Sequence, residues 1–290
     1  MSKPTIAVTG KNGQLGFEIS QLENQFPQFQ FIFTGRQELD LDNPETVDDF
    51  FQQNKPSYFI NCAAYTAVDK AETDIETAMA VNATSVGLIA KHCREHNCPL
   101  ITISTDYVFD GQGKVPYPID YTTNPINHYG YTKLLGEELA LQHNPNTIVI
   151  RTSWVYSTHG NNFVKTMIRL MNEKPTLSIV GDQVGSPTNA KNLALAILTI
   201  IQKIDSKEVT PEYGIYHYSD KGVISWFQFA KEIKAYKKLH CKLTSTTTAN
   251  YPTPAKRPAY SVLDSSRIKA VYGIDSTDWK ESLYSCLDNL

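Results

Sequence analysis

The stretch TGKNGQLG, residues 9–16, decides the fold class of this chain. It follows a β-branched run at residues 5–9 and opens an amphipathic segment at residues 14–23, so it joins a strand to a helix. Gly10, Gly13 and Gly16 let the backbone approach a pyrophosphate closely, and the helix N-terminus favours an anion there. No Gly-Lys-Ser/Thr follows, which excludes a Walker loop. The stretch indicates a dinucleotide-binding turn, with a plain strand–helix turn as the alternative.

The rest of the chain repeats this strand–helix rhythm up to about residue 155. Strands are predicted at residues 29–33, 57–61, 100–104 and 147–151, and helices at 44–54, 72–97 and 129–142. This alternation predicts an α/β fold, a Rossmann-type doubly wound parallel sheet, in residues 1–155. Further helices are predicted at residues 163–171, 192–202 and 226–236, and strands at 177–180 and 215–218. We assign residues 156–290 mainly to a smaller C-terminal substrate-binding lobe and leave open a return of the chain to the sheet.

Composition narrows the class of protein. The chain has 290 residues, 41% hydrophobic and 20% charged, with a net charge of −3. These values exclude a disordered chain and give no sign of a nucleic-acid or membrane partner. The five cysteines form no C-x-x-C pair, which argues against a zinc site or a disulfide framework. With no signal peptide and no run of ~18 apolar residues, we expect a cytoplasmic protein.

A tyrosine and a lysine supply candidate catalytic groups. Tyr129 and Lys133 are four residues apart on a predicted helix and therefore share a face, whereas Tyr131 points elsewhere. The lysine cation is expected to lower the pKa of the Tyr129 phenol, which would serve as proton donor to a carbonyl oxygen. Ser104 and Thr105 end a strand at the edge where such folds bind ligands. Strand-end hydroxyls and Tyr–Lys pairs are also common in purely structural roles.

The ends of the second and third strands offer a place for the adenosine half of a cofactor. Arg36 lies where NAD-specific proteins usually carry an acid, which favours NADPH over NADH, although a surface arginine is the alternative. Asp40 and Leu41 are placed to contact adenine. Ala63 and Ala64 are small enough for a cofactor to lie against the backbone.

Several longer motifs together resemble the dTDP-4-dehydrorhamnose reductase family of the extended short-chain dehydrogenase/reductase superfamily. They extend over nearly the whole chain and are NCAAYTAVDKAE (61–72), VNA (81–83), STDYVFDG (104–111), RTSWVY (151–156), GSPT (185–188) and RP (257–258).

The resemblance implies NAD(P)H-dependent reduction of dTDP-4-dehydro-L-rhamnose to dTDP-L-rhamnose, the last step of dTDP-rhamnose biosynthesis, which serves polysaccharide formation. By position in the motifs, Thr105, Tyr129 and Lys133 match the catalytic residues of the family. Lys133 also matches the residue that binds the nicotinamide ribose. Cofactor contacts match Gly13, Gln14, Leu15, Asp40, Leu41, Ala63, Ala64 and Tyr65. Substrate contacts match Thr66, Val68, Thr105, Asp106 and Trp154.

Two further assignments depend on charge. Lys256 and Arg257 are candidates to meet the substrate diphosphate, with ordinary surface charges as the alternative. Some members of the family form a magnesium-linked dimer through glutamates; Glu18 fits one such position, but Lys191 stands at another. Because a cation cannot ligate Mg²⁺, we predict no metal site and expect a monomer or a homodimer.

Two other functions stay open at this point. One is a different nucleotide-sugar 4-ketoreductase or epimerase, since pocket shape sets sugar specificity. The other is a non-catalytic regulatory subunit of the methionine adenosyltransferase type. The presence of Thr105, Tyr129 and Lys133 favours an active enzyme.

Overall fold

The computed structural model describes residues 3–41 and 44–290. Its strands are β1 (Thr5–Thr9), β2 (Gln30–Thr34), β3 (Tyr58–Asn61), β4 (Leu100–Thr105), β5 (Thr147–Thr152), β6 (Val155–Tyr156), β7 (Thr176–Val180), β8 (Val184–Gly185), β9 (Thr188–Asn189), β10 (Gly214–His217), β11 (Ile224–Ser225) and β12 (Lys242–Thr246). Its α-helices are α1 (Gln14–Leu22), α2 (Pro44–Asn54), α3 (Val68–Ala71), α4 (Ile75–Met79), α5 (Ser85–Glu95), α6 (His128–His143), α7 (Phe163–Glu173), α8 (Ala190–Asp205), α9 (Trp226–Tyr236), α10 (Ser266–Tyr272) and α11 (Trp279–Leu287).

A parallel six-stranded sheet forms the centre, in the order β2-β1-β3-β4-β5-β10. The chain leaves β1 toward β2 on one side and then crosses to β3 on the other. The crevice at such a reversal, beyond the carboxyl ends of the strands, is where open α/β sheets bind ligands. The glycine loop lies at this reversal, between β1 and α1.

Helices cover both faces of the sheet, which confirms the predicted doubly wound α/β class. Apolar side chains of α1, α8 and α10 pack on one face, among them Ile19, Ile197 and Ile268. Helices α2 and α5 pack on the other, where Phe51 stacks on Phe59 of β3 with ring centroids 5.3 Å apart. Burial on both faces explains why the central strands are continuous apolar runs rather than alternating ones.

The second half of the chain has its own core but is not confined to one lobe. Helices α7, α9 and α11 enclose a cluster around Phe229 and Leu283, and β7 pairs with β12. The chain then returns twice to the first half of the molecule: β10 pairs with β5 in the central sheet, and α8 packs against α1 on one face of that sheet. The return to the sheet that the sequence left open is therefore present. The functional division after residue 155 stays a prediction.

The long helix predicted at residues 72–97 is interrupted. A π-helical turn, Ala80–Thr84, separates α4 from α5. Within it the buried Asn82 side chain bonds the backbone N–H and C=O of Tyr65 at 2.9 and 3.0 Å, and donates to Thr132 at 3.1 Å. The turn thus fastens the loop after β3 to α6. Sequence reasoning also missed β12, α10 and α11. Within the described residues, none of the helices has the length and apolar character to span a membrane.

Candidate active site

The glycine loop folds as tightly as its spacing predicts. Gly10 has φ of +70°, and a Cβ there would lie 2.9 Å from the backbone of Ala63. A Cβ at Gly16 would come within 2.3 Å of the Gly10 carbonyl oxygen. Neither position accepts a side chain, so the loop and the start of α1 present bare backbone. Gly13 lines both of the cavities described in the next paragraph, whereas Gly16 packs beneath the loop and lines neither of them.

Two adjoining cavities run along the carboxyl ends of β1, β3 and β4. The first, about 320 Å³, contains these predicted cofactor residues: Gly10, Gly13, Arg36, Asp40, Leu41, Ala63 and Ala64. The second, about 640 Å³, contains Gln14, Leu15, Thr66, Val68, Thr105, Asp106, Tyr129, Lys133 and Trp154. Both are lined by Gly13 and Ala64, so they form one groove from the adenosine end to the Tyr–Lys pair. Cavities of this size suit small ligands.

The end of β2 carries an acid that sequence reasoning missed. Arg36 lies at the cavity edge, 75% exposed, with its Nε 3.7 Å from Asp40 Oδ1. Glu38 accepts a hydrogen bond from the Gly35 N–H at 2.8 Å and another from Lys11 Nζ at 2.5 Å. The Lys11 contact lowers the pKa of Glu38. The turn after Gly35 brings the Glu38 carboxylate back to this strand end, but Glu38 does not line the cavity, and Arg36 keeps the position where no acid is expected from the sequence.

Lys133 is a buried base held by the backbone of β4. Helix α6 begins at an N-cap, Asn127, whose side chain accepts from the Gly130 N–H at 2.8 Å. One turn later Lys133 Nζ donates to the Ile103 carbonyl oxygen at 2.6 Å. Burial lowers the pKa of Lys133 to about 8, and the negative charge of Glu137 opposes this shift. The ammonium group thus lines the same cavity as Tyr129, with a pKa of about 8.

The pKa of Tyr129 moves in the direction opposite to the expectation. Burial raises it, the nearby Thr105 hydroxyl lowers it, and the nearby Asp106 carboxylate raises it further. Desolvation of the phenolate outweighs the stabilising effect expected from Lys133, so that expectation is wrong here. A neutral phenol still suits a proton donor. Tyr131 is 49% exposed, which confirms that it points away from the site.

The structure assigns different partners to the two strand-end hydroxyls. Ser104 donates its hydroxyl proton to Glu137. Thr105 donates to Asp106 Oδ1 at 2.9 Å and accepts from the Tyr107 N–H at 3.2 Å. Both hydroxyls line the second cavity, and that of Thr105 lies close enough to Tyr129 to affect its pKa. The assignment of Thr105 as the catalytic hydroxyl stays a prediction.

Asp106 is a buried acid on the wall of the second cavity. Burial raises its pKa to about 6, although hydrogen bonds with Ser261 and Thr105 oppose the shift. Its Oδ2 has no hydrogen-bond partner among the residues that the structure describes. A buried polar atom left this way is an acceptor or donor available to a ligand.

Trp154 forms part of the cavity wall in a strained conformation. Its φ is +49°, which is rare for a large side chain. Its ring stacks on Trp226 with centroids 3.5 Å apart and planes at 11°. Trp226 starts α9, so the second half of the chain supports the indole from behind. Sequence reasoning missed Trp226, because nothing local in the sequence links the two tryptophans.

Like Gly16, the predicted contact residues Tyr65 and Arg257 line neither cavity. Tyr65 donates its hydroxyl proton to Asp74 Oδ2 at 3.0 Å, and its backbone is held by Asn82. Arg257, predicted to meet a diphosphate, instead binds Asp69 through both terminal nitrogens, at 2.9 and 2.8 Å. This pair fastens the loop before β-bridge residue Tyr260 to α3. The Arg257 assignment needs correction on this ground: its charge is already satisfied outside the cavity.

The two residues considered for a metal-linked dimer, Glu18 and Lys191, lie in different surroundings. Glu18 is buried and accepts a hydrogen bond from the Ser157 hydroxyl at 2.5 Å. Lys191 lies in the first turn of α8. Across residues 3–41 and 44–290, no group of three or more His, Cys, Asp or Glu could hold a metal ion. The expected absence of a metal stays a prediction.

Comparison with known proteins agrees with this geometry. The chain is 39% identical to the dTDP-4-dehydrorhamnose reductase of Aggregatibacter actinomycetemcomitans, over 96% of each chain. It superposes on a Clostridium acetobutylicum dTDP-4-dehydrorhamnose reductase with a TM-score of 0.92 and 42% identity, covering 98% and 99% of the two chains. The Bacillus anthracis dTDP-4-dehydrorhamnose reductase in complex with NADP gives a TM-score of 0.94 at 34% identity, covering 100% of both chains. A family model described as RmlD substrate binding domain matches residues 4–290. The chain belongs to the RmlD substrate binding domain family.

Proposed function

We propose that this protein reduces the C4 ketone of dTDP-4-dehydro-L-rhamnose to the alcohol of dTDP-L-rhamnose with NAD(P)H, the last step of dTDP-rhamnose biosynthesis. The observation that carries the proposal is the convergence of Thr105, Tyr129 and Lys133 on one cavity at the end of a dinucleotide-sized groove. The full-length relationship to reductases with this printed activity supports the substrate.

The groove fits the cofactor. Gly10, Gly13 and the N-terminus of α1 present backbone to a pyrophosphate, with no Cβ in the way. Arg36, Asp40 and Leu41 surround the adenosine end, and Ala63 and Ala64 form its floor. When bound, the nicotinamide supplies the hydride that reduces C4.

The chain itself supplies the proton and orients the ketone. Tyr129, neutral because burial raises the pKa of its phenol, donates its proton to the C4 oxygen. The Thr105 hydroxyl, which donates to Asp106 Oδ1 at 2.9 Å in the structure, turns to donate to the same oxygen and polarises the carbonyl. The Lys133 ammonium stabilises the phenolate left on Tyr129 and binds the nicotinamide ribose.

The remaining lining residues hold the sugar. Asp106 offers its free Oδ2 to a sugar hydroxyl. Trp154 presents a flat apolar face to the C–H side of the ring, and Thr66 and Val68 complete the wall.

The enzyme acts as a monomer or a homodimer in the cytoplasm. Each chain carries a complete set of these groups, and the five cysteines are free thiols, as in a reducing compartment.

The test follows the absorbance of NADPH after addition of enzymatically prepared dTDP-4-dehydro-L-rhamnose. We expect rapid oxidation by the wild type and a loss of about 10²–10⁴-fold in Tyr129→Phe, with NADPH binding retained. A 4-keto sugar on GDP or UDP is the specificity control. Preference for one of these would assign the protein to another nucleotide-sugar reductase. A folded protein that binds NADPH but oxidises it with none of them would refute the proposal and favour the regulatory-subunit alternative.

A further inference from the structure

A buried ion pair lies directly behind the Tyr–Lys pair and takes no part in the steps above. Glu137 and Arg151 are each 2% exposed in their side chains. Arg151 Nη2 lies 2.7 Å from Glu137 Oε2, and Arg151 Nε lies 2.9 Å from Oε1. Ser104 adds its hydroxyl hydrogen bond to the same carboxylate. A fully buried charge pair is costly to form, so a pair beside the proposed catalytic residues is a candidate for a functional role.

The strand register explains why these groups meet. Ser104 of β4 and Arg151 of β5 are directly paired residues of neighbouring parallel strands, so both side chains reach the same helix face. Glu137 is on α6, one turn beyond Lys133 and two beyond Tyr129. The carboxylate therefore stands in line with the catalytic side chains.

Three consecutive residues at the end of β4 face three residues spaced one turn apart on α6. The Ile103 carbonyl accepts a hydrogen bond from Lys133, the Ser104 hydroxyl donates one to Glu137, and the Thr105 side chain lies beside Tyr129. The helix cannot slide or rotate against the strand without breaking both hydrogen bonds.

We propose that Glu137 is a positioning residue for the reduction, which rests on the function proposed above: anchored by Arg151 and Ser104, its carboxylate keeps the Lys133 ammonium charged and in place behind Tyr129. The charge of Glu137 opposes the effect of burial on the pKa of Lys133, in agreement with this geometry. The Arg151 guanidinium in turn satisfies the carboxylate through two of its nitrogens. The other titratable groups that line the same cavity as Lys133 are Tyr129 on α6, Cys62 after β3, and Asp106 and Tyr107 after β4.

The experiment compares pH profiles of kcat for the wild type, Glu137→Gln and Glu137→Asp. Glutamine keeps the shape and loses the charge, whereas aspartate keeps the charge. We expect the basic limb of the glutamine variant to move to lower pH by ~1–3 units and that of the aspartate variant to stay near the wild type. A purely structural role would lower kcat equally at every pH. An unmoved limb in folded Glu137→Gln overturns the proposal.

Removal of one partner leaves a buried charge unpaired, so Glu137→Gln could fail to fold. The double variant Glu137→Met/Arg151→Met removes both charges and fills the space with flexible apolar side chains. We expect it to fold with its basic limb moved in the same direction but by less, because loss of the Arg151 charge partly offsets loss of the carboxylate. A double variant that keeps the wild-type profile also overturns the proposal.

A second readout needs no substrate. With lysine labelled by ¹³C at Cε, the Lys133 resonance is identified by its loss in Lys133→Met. We expect it to titrate at lower pH in Glu137→Gln, or in the double variant, than in the wild type. If no nucleotide sugar is reduced but this titration moves, the proposed reaction fails and the link between Glu137 and Lys133 stands. If the titration does not move, the positioning role fails whatever the reaction.

Discussion

Lys133 Nζ donates a hydrogen bond to the Ile103 carbonyl oxygen, with 2.6 Å between the two atoms. The bond joins α6 to the end of strand β4, two residues before Thr105. It fixes the ammonium group on the side of the cavity where Tyr129 and Thr105 meet. The backbone of the central sheet, rather than a flexible loop, therefore determines where the proposed proton donor stands.

The first prediction concerns the pH dependence of the reaction. Burial lowers the pKa of Lys133 from 10.5 to about 8. Because the reduction needs the ammonium form, kcat/KM for NADPH should fall as pH rises through about 8. A profile that stays flat to pH 10 would contradict this role of Lys133.

The same group has an opposite effect on stability. Below pH 8 both the folded and the unfolded chain hold the proton, so the cost of burying the charge is fully present. Between pH 8 and 10.5 the folded chain releases it first, and the contribution of Lys133 to stability rises. Urea unfolding at pH 7 and 9 measures the change, and Lys133→Met should remove this part of the pH dependence.

The two strand-end hydroxyls should differ in their effect on activity. Thr105→Val removes the hydroxyl that contacts Tyr129, and we expect kcat to fall about 10²-fold. Ser104→Ala removes one hydrogen bond to Glu137, which Arg151 still holds, so it should cost about 1 kcal/mol of unfolding free energy and lower kcat far less than Thr105→Val does. Steady-state kinetics and thermal unfolding of both variants give the answer. The reverse ranking in kcat would make Ser104 the catalytic hydroxyl.

Cofactor preference should respond to Glu38. Its carboxylate accepts a hydrogen bond from Lys11, whose side chain lies beside Gly35 at the rim of the first cavity. Glu38→Gln frees Lys11 for a 2′-phosphate and should raise the preference for NADPH over NADH. Both side chains are partly exposed, 34% and 46%, so solvent screening limits the change to about two- to fivefold. The ratio of kcat/KM values measures it, and Glu38→Asp is the control. An increased preference for NADH would show that Glu38 does not compete for Lys11.

Sugar binding should depend on the residue behind Trp154. Trp226→Ala removes the stacked ring and should raise KM for the nucleotide sugar about two- to tenfold, while the Kd of NADPH stays the same. Trp226→Phe keeps an aromatic face and should lie between the two. If KM were unchanged in Trp226→Ala, Trp154 would hold its position without the stack.

Arg257 should behave as a structural residue. Arg257→Met and Asp69→Asn break the same ion pair, which is partly exposed, so each should cost about 1 kcal/mol or less and leave KM for the nucleotide sugar unchanged. An increase in KM with Arg257→Met alone would restore the diphosphate contact that the sequence suggested.

Local patterns in the sequence determined much of this protein. The glycine spacing at residues 9–16, the apolar strand runs and the Tyr129–Lys133 spacing each depend on neighbours within a few residues, and the structure confirms the strand–loop–helix turn and the shared helix face. The backbone geometry of a single turn or helix is enough to predict these features from the sequence.

Tertiary structure alone decided the partners of these residues. Glu137 meets Ser104 and Arg151 because β4 and β5 pair in one register, and Trp154 meets Trp226 because the second half of the chain folds back over the cavity. The same return places β10 beside β5. Parallel strands and packed helices bring together residues far apart in the chain, and the burial that results set the pKa of Tyr129 against the expectation from its neighbours. Spacing along the sequence contains neither the register nor the burial, so both had to come from the folded chain.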